Sequence, residues 1–335
     1  MSNGHAEQTI SDNQGDVAIY SLLGLTLASS FPFKFNLTSG EGLPDLSFDH
    51  GLAPPTLMRQ SKTPGYASPY LLNDGRSACY LFREDGFDVY RFTDEAEYYL
   101  FDNEIYCHLL NSALLHLIEI RLLGPVIAYW LERRGIPVLH SSAVVSENKA
   151  ITFLGTNGQG KSTLMAAMLA SGLPLLTDDI LPVHQKAEVC LGSPSYPQIR
   201  LWPDQVTNFV GGSNAFERVH PDYEKKRVPI GNGFGTFCNE ALPLCGVYIP
   251  ERYDADAGQP PEITIDALAP GEAVMQLVRH SFLAPLVQSL GLQPGRMEIF
   301  AQLVEQVPVK RLRYPNGFKY LPRVIDAIQQ DIQQC

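Results

Sequence analysis

The chain has 335 residues, 45% of them hydrophobic, and a formal net charge of −11. That length suits a sizeable core divided between two ordinary domains, and so acidic a balance argues against nucleic acid or an anionic membrane as the main partner. Six cysteines without C-x-x-C or Cys/His spacing point away from a disulfide framework or a zinc site and towards a reduced, cytoplasmic protein.

Residues 1–15 are polar, lack the charged and apolar regions of a secretory signal, and read as a disordered tail. Nowhere does an uncharged run approach the roughly 18 apolar residues of a membrane span. Residues 17–28 alternate and are rich in Leu and Ile, which predicts a strand pair or one long bent strand. The six prolines of 31–69 predict loops and short strands, with 46–49 one of the strands. From 77 to 101 an aromatic-rich alternation predicts antiparallel strands joined by acidic turns such as Glu84-Asp85-Gly86. A smaller, mainly β N-terminal domain over 16–102 follows, its aromatic stripes read as core rather than as a stacking platform. Over 103–134 the period becomes helical: Ile105, Leu109, Leu110, Leu114, Leu117, Ile118 and Leu122 share a face, and Gly124-Pro125 interrupts it. Two connecting helices are predicted, with His108 and His116 on them as structural residues.

The second domain, 135–335, opens with a turn at Gly135-Ile136-Pro137 and a strand over 138–145 that holds His140 and Ser141. A hairpin turn at 146–149 returns the chain into the apolar run 150–154. There the sequence reads GTNGQGKST, and Gly155, Thr156, Asn157, Gly158, Gln159, Gly160, Lys161 and Ser162 fill the pattern G-x-x-x-x-G-K-[ST]. The chemistry needs glycines where backbone wraps a polyphosphate, because a Cβ would keep the amide N–H groups from the anion. Lys161 would neutralise the β- and γ-phosphates, Ser162 would offer its hydroxyl to magnesium, and the N-terminus of a helix over 162–171, Thr163 included, would add its positive dipole end. The cofactors predicted are ATP, or another nucleoside triphosphate, and Mg2+.

Gly172 caps that helix, and 173–176 reads as a buried strand that delivers Thr177, Asp178 and Asp179 at its C-terminal end. Strand ends of this kind face the ligand in α/β sheets. Two adjacent carboxylates there suit a metal-holding group beside a group that accepts the proton of an attacking hydroxyl. On an extended strand end their side chains should point to opposite sides. Further on, 181–191 predicts a hairpin and 195–203 a proline-bracketed loop, in which Arg200 either clamps a phosphate or lies against Trp202. The polar stretch 208–226 reads as mobile, and Lys225, Lys226 and Arg227 either reach phosphates or form a solvated face. Strands are predicted at 242–249, 262–268 and 309–314, and helices at 273–282, 296–306 and 320–334.

The string Leu139-His140-Ser141-Ser142-Ala143, the loop GTNGQGKST and Leu176-Thr177-Asp178-Asp179 resemble, in order and spacing, the catalytic domain of HPr kinase/phosphorylase and its relatives. Stretches 196–203, 242–249, 307–314 and 24–29 look like the HPr-kinase-related serine kinases of peptide-modifying gene sets, lasso-peptide tailoring kinases among them. The resemblance implies an α/β P-loop kinase domain of the HPr kinase/phosphoenolpyruvate carboxykinase type and ATP-dependent transfer to a serine hydroxyl. It implies Asp178 as the base, Asp179 with Ser162 placing magnesium, Lys161 on the phosphates, and His140 supporting the site. Asn157 stands where these kinases usually carry Ser, and the Gly-rich signature that follows the Asp pair in bifunctional members is not found, so neither phosphorylase activity nor HPr as substrate is carried over. The partner expected is a peptide or small protein with a serine, self-association being left open. The competing readings are a nucleotide-binding regulatory module and an NTPase that releases phosphate to water.

Overall fold

The computed structural model describes residues 16–51, 61–111, 114–212, 216–220, 223–231, 233–255 and 260–333; the tail expected at 1–15 lies outside them. The first nine strands are β1 Ala18–Leu22, β2 Leu25–Ser29, β3 Thr38–Ser39, β4 Leu46–Gly51, β5 Tyr66–Ala67, β6 Cys79–Arg83, β7 Asp88–Phe92, β8 Ala96–Leu100 and β9 Glu104–Leu109. They make one sheet in the order β3-β1-β2-β4-β9-β8-β7-β6-β5. The strand pair β1–β2 turns through Leu23 and Gly24, both at positive φ (54° and 76°), as a tight two-residue hairpin requires.

Strand β9 corrects the helix expected from 103 onward. Ile105 and Leu109 fit a helical spacing, but fully buried Cys107 lies between them, and the burial of Ile105 and Cys107 alternates with more open neighbours, which is a period of two. The strand pairs with β8 on one edge and β4 on the other. Helices α1 Leu117–Arg121 and α2 Ile127–Arg133 flank a π-helical turn, Leu122–Val126, that contains Gly124 and Pro125. Rather than bridging two domains, they cover the first sheet. Ile118, Leu122, Val126 and Tyr129 share a core with Tyr90, Phe92 and Tyr98, and the Tyr98 hydroxyl donates to the Ile118 carbonyl at 3.1 Å.

The second unit comprises β10 Val138–Leu139, β11 Ser141–Ser146, β12 Lys149–Leu154, α3 Lys161–Ala170, β13 Leu175–Thr177, β14 Leu181–Lys186, β15 Val189–Gly192, β16 Gln198–Leu201, α4 Pro203–Phe209, β17 Arg218–His220, β18 Tyr223–Pro229, β19 Leu242–Tyr253, β20 Thr264–Ala267, α5 Pro270–Arg279, α6 Ala284–Ser289, α7 Gln293–Gln306, β21 Val309–Pro315 and α8 Leu321–Ile332. Its sheet runs β10-β14-β15-β19-β12-β11-β13, with β21 added on β19 and β20 on β21. Strands β12 and β21 lie parallel to β19, and the other pairs are antiparallel. Side chains alternate across β12: Ile151 and Phe153 belong to the core shared with α3 and α8, whereas Ala150 and Leu154 belong to the core shared with α5 and α7. The result is a mixed α/β layer with helices on both faces.

Three further expectations change. His140 interrupts the strand predicted over 138–145, dividing it into β10 and β11. The loop predicted over 195–203 holds β16, which joins β17 and β18 in a three-stranded sheet and buries Ile199 and Leu201 completely. The described part of 208–226 also carries β17 and the start of β18. The first sheet's core, moreover, includes Ile180, Tyr196, Leu283, Leu286 and Val287, so the packing does not part at 134/135.

Candidate functional site

Strand β12 runs in the middle of its sheet between β11 and β19 and delivers Gly155 at its C-terminal end. The loop that follows turns at Gly158 (φ 86°) and Gly160 (φ 102°) and enters α3 at Lys161. At position 160 glycine is required twice over. Its φ lies where L side chains are strained, and a Cβ would stand 2.6 Å from the Tyr314 hydroxyl and 3.3 Å from Arg252 Cδ. The loop is held by its own side chains. Gln159 Oε1 accepts the Thr156 N–H at 2.5 Å, and Lys161 Nζ donates to the carbonyls of Gly155 and Thr156 at 2.8 and 3.2 Å. Lys161 is 5% exposed, and burial lowers its pKa to about 8, against the partial support of Asp179 and Asp178.

Strand β13 pairs with β11 and ends at Thr177, so the carboxylates arrive on a turn and not on an extended strand. The Thr177 hydroxyl donates to the Ile180 carbonyl, the Ile180 N–H to the Asp178 carbonyl at 2.9 Å, and Asp179 takes a left-handed φ of 66°. This geometry makes the two unequal. Asp178 is buried, accepting from the Ser142 hydroxyl at 2.8 Å and from the Arg200 N–H at 2.9 Å. Burial, then the neighbouring Asp179, raises its pKa. Burial also opposes ionisation of Asp179, yet nearby positive charge, chiefly Arg200, holds its carboxyl below the usual range. Arg200 Nη1 stands 2.9 Å from Asp179 Oδ2.

A cleft of about 500 Å³ opens beside the loop, lined by Asn157, Gly158, Gly160, Lys161, Ser162, Thr163 and Asp179, together with Trp202, Asp204, Gln205, Glu224, Lys225 and Arg252. The predicted residues Gly155, Thr156 and Gln159 shape the loop without lining the cleft, and Asp178, His140 and Arg200 stand outside the lining. The Arg200 guanidinium ties Asp179, which lines the cleft, to the Tyr196 hydroxyl, 3.4 Å away. His140 donates its backbone N–H to the His280 carbonyl at 2.9 Å and stacks on Phe282 at 5.7 Å. Its Nε2 is buried without a partner among the described residues, and burial lowers its pKa to about 4, leaving a neutral imidazole at pH 7. Of the basic run, Lys225 lines the cleft, whereas Arg227 pairs with Glu119 at 3.4 Å.

Sequence reasoning missed Asp204, Gln205, Glu224 and Arg252 on the cleft. Gln205, reached through the helix start at Pro203, donates to the Thr163 hydroxyl at 2.7 Å. Arg252 lies near the end of β19, with Nη2 donating to the Gly158 carbonyl; nothing local in the sequence distinguishes it from other arginines. Among the described residues no group of three or more His, Cys, Asp and Glu could hold a metal alone. A magnesium ion carried on phosphates needs only one or two protein oxygens, and Ser162 and Asp179, both on the cleft, fit that need.

No family model matches the chain, and no curated protein matches it. Among solved structures, the Hpr(Ser) kinase/phosphatase from Coxiella burnetii is similar over 59% of this chain and 97% of its own, at 12% identity and a TM-score of 0.31. Likeness at that level leaves the chemistry to be read from the cleft's own residues. No helix among the described residues is long and apolar enough to cross a membrane.

Proposed function

We propose that the chain transfers the terminal phosphoryl group of ATP to a seryl hydroxyl of a peptide or small protein, such as a ribosomal precursor peptide of the lasso type. The observation that carries this reading is a buried ammonium folded onto the carbonyls of a glycine loop, with Ser162 and an ionised carboxylate on the same cleft. Lys161 donates to the carbonyls of Gly155 and Thr156; a triphosphate would offer it a better acceptor and recruit the loop amides and the α3 dipole. The acceptor oxygen bonds to the γ-phosphorus as the bond to the bridging oxygen breaks, and the seryl proton passes to a carboxylate. Asp178, whose burial raises its proton affinity, suits that last role. Asp179, kept ionised by Arg200, suits the placing of magnesium with Ser162; the ion would neutralise charge on the transferring group. His140, neutral and packed on Phe282, is assigned to orienting the site.

A nucleotide-binding module without transfer is the second reading. It draws on the engagement of both carboxylates, Asp178 with Ser142 and the Arg200 N–H, Asp179 with the Arg200 guanidinium. One assay separates the two: single-turnover transfer of labelled phosphate to a seryl peptide against its release to water, across a magnesium series. Asp178→Asn should keep ATP affinity and lose transfer by on the order of 10²–10⁴, because an amide cannot take the proton. Asp179→Asn should raise the magnesium requirement. Normal transfer by Asp178→Asn, or its full rescue by magnesium, overturns the assignment.

A further inference from the structure

The cleft is not the only hollow at the loop. A second cavity of about 170 Å³ adjoins it, sharing Thr163, Asp204, Gln205 and Arg252 with the cleft and continuing to Tyr314, Asn316, Gly317, Phe318 and Leu321 at the end of β21 and the start of α8. The two ends of the combined space differ in character. One end holds Asp179, Lys225 and Glu224, the charged groups suited to a phosphoryl group and its acceptor. The other end has apolar walls, Phe318 and Leu321, with a few polar groups between them, the composition of a site for a flat organic ligand.

At that second end a buried polar group lacks a partner. Tyr314 is 1% exposed, and its hydroxyl, lying under Gly160, has no hydrogen-bond partner among the described residues. An unpaired buried hydroxyl costs free energy unless a ligand meets it. Burial raises its pKa, so it stays a donor at neutral pH. Arg252 stands at the passage between the hollows, with Nη2 on the Gly158 carbonyl and Nη1 3.4 Å from Asn316 Oδ1. It would neutralise a polyphosphate passing beneath it. Asp204 presents an acceptor-only carboxylate to both spaces, suited to the hydroxyls of a ribose or an exocyclic amine.

We infer that this second cavity is the nucleoside subsite of the same ligand: the polyphosphate lies along the loop with its terminal phosphate towards Asp179, and ribose and base pass Thr163 and Arg252 to rest between Asp204, Tyr314 and Phe318. The inference rests on the nucleotide reading given above and adds direction and selectivity to it. The loop alone would hold any polyphosphate, and the cavity is what makes a nucleotide preferable to one.

The test compares ATP with inorganic tripolyphosphate, both with magnesium, by titration calorimetry on the full chain. The wild type should bind ATP at least tenfold more tightly than tripolyphosphate. Asn316 is exposed, so Asn316→Trp should fill the cavity mouth without disturbing the core. It should cost ATP tenfold or more while tripolyphosphate affinity stays within twofold, which also reports an intact loop. Asp204→Asn should lower ATP affinity several-fold without lowering tripolyphosphate affinity, because loss of a carboxylate that also lines the cleft cannot weaken a polyanion there. If tripolyphosphate binds but ATP binds no better, or if both variants leave the ratio unchanged, the subsite is refuted while the loop's role stands. If the wild type binds neither ligand, the nucleotide reading itself fails and this inference falls with it.

Discussion

Lys161 offers a measurable consequence of its burial. Held by burial at about 8 against an ordinary 10.5, it is a cation at pH 7 and largely neutral at pH 9, where about nine in ten molecules have lost the proton. A triphosphate restores its charge, so above pH 8 binding must take up a proton. Affinity should then fall by about tenfold between pH 7.5 and pH 9, and more steeply beyond, until the bound lysine also titrates. Full return of the lysine to 10.5 on binding corresponds to roughly 3 kcal/mol of coupling. The sign for folding is opposite. Because the native lysine gives up its proton before the unfolded one, stability should rise with pH between about 8 and 10.5. Titration of the magnesium-saturated nucleotide from pH 7.5 to 9.5, in two buffers of different ionisation enthalpy, reads both affinity and proton uptake. Lys161→Arg remains charged throughout and should show weaker binding without the decline. A flat wild-type profile without proton uptake, or the same decline in Lys161→Arg, refutes the argument.

Two predictions concern packing around the site. Gly160→Ala forces a Cβ to within 2.6 Å of the Tyr314 hydroxyl at a left-handed φ and should strain the loop by roughly 1–3 kcal/mol, read as weaker tripolyphosphate binding; adding Tyr314→Phe should recover part of that loss, and no recovery would place the cost in the backbone alone. Glu132, which accepts from the Val138 N–H at 2.9 Å and pairs with Arg296, is nearly inaccessible, as is its partner, at 5% and 3% exposure. Glu132→Ala leaves a buried cation and should cost about 3–5 kcal/mol, read as a lowered urea midpoint, whereas the double change of Glu132 and Arg296 to Met should cost much less.

Local chemistry made the loop legible. Gly158 and Gly160 must adopt positive φ, the lysine must follow them, and the apolar strand and helix on either side are written in nearest-neighbour patterns, so residues 150–172 could be read directly from the sequence. The hairpin at Glu147-Asn148 and the break at Gly124-Pro125 were equally local, whereas the alternation of 17–28 suited one bent strand as well as the hairpin that turns at Leu23-Gly24. Strand β9 was not local, because Ile105 and Leu109 satisfy a helical period as well as a strand's; pairing of Glu104 with Ser47 on β4, 57 residues away, and of Ile105 with Leu100 on β8 decided it. Long-range placement also decided which carboxylate faces the cleft. A strand model sets Asp178 and Asp179 on opposite sides, but their actual partners, Ser142 on β11 and Arg200 on β16, meet them only after the sheets assemble. Arg252 shows the limit most clearly: 94 residues from Gly158 in sequence, it reaches the loop because β19 lies parallel to β12. Sequence spacing specifies what the backbone does within a few residues, and only strand pairing specifies which distant charge completes the site.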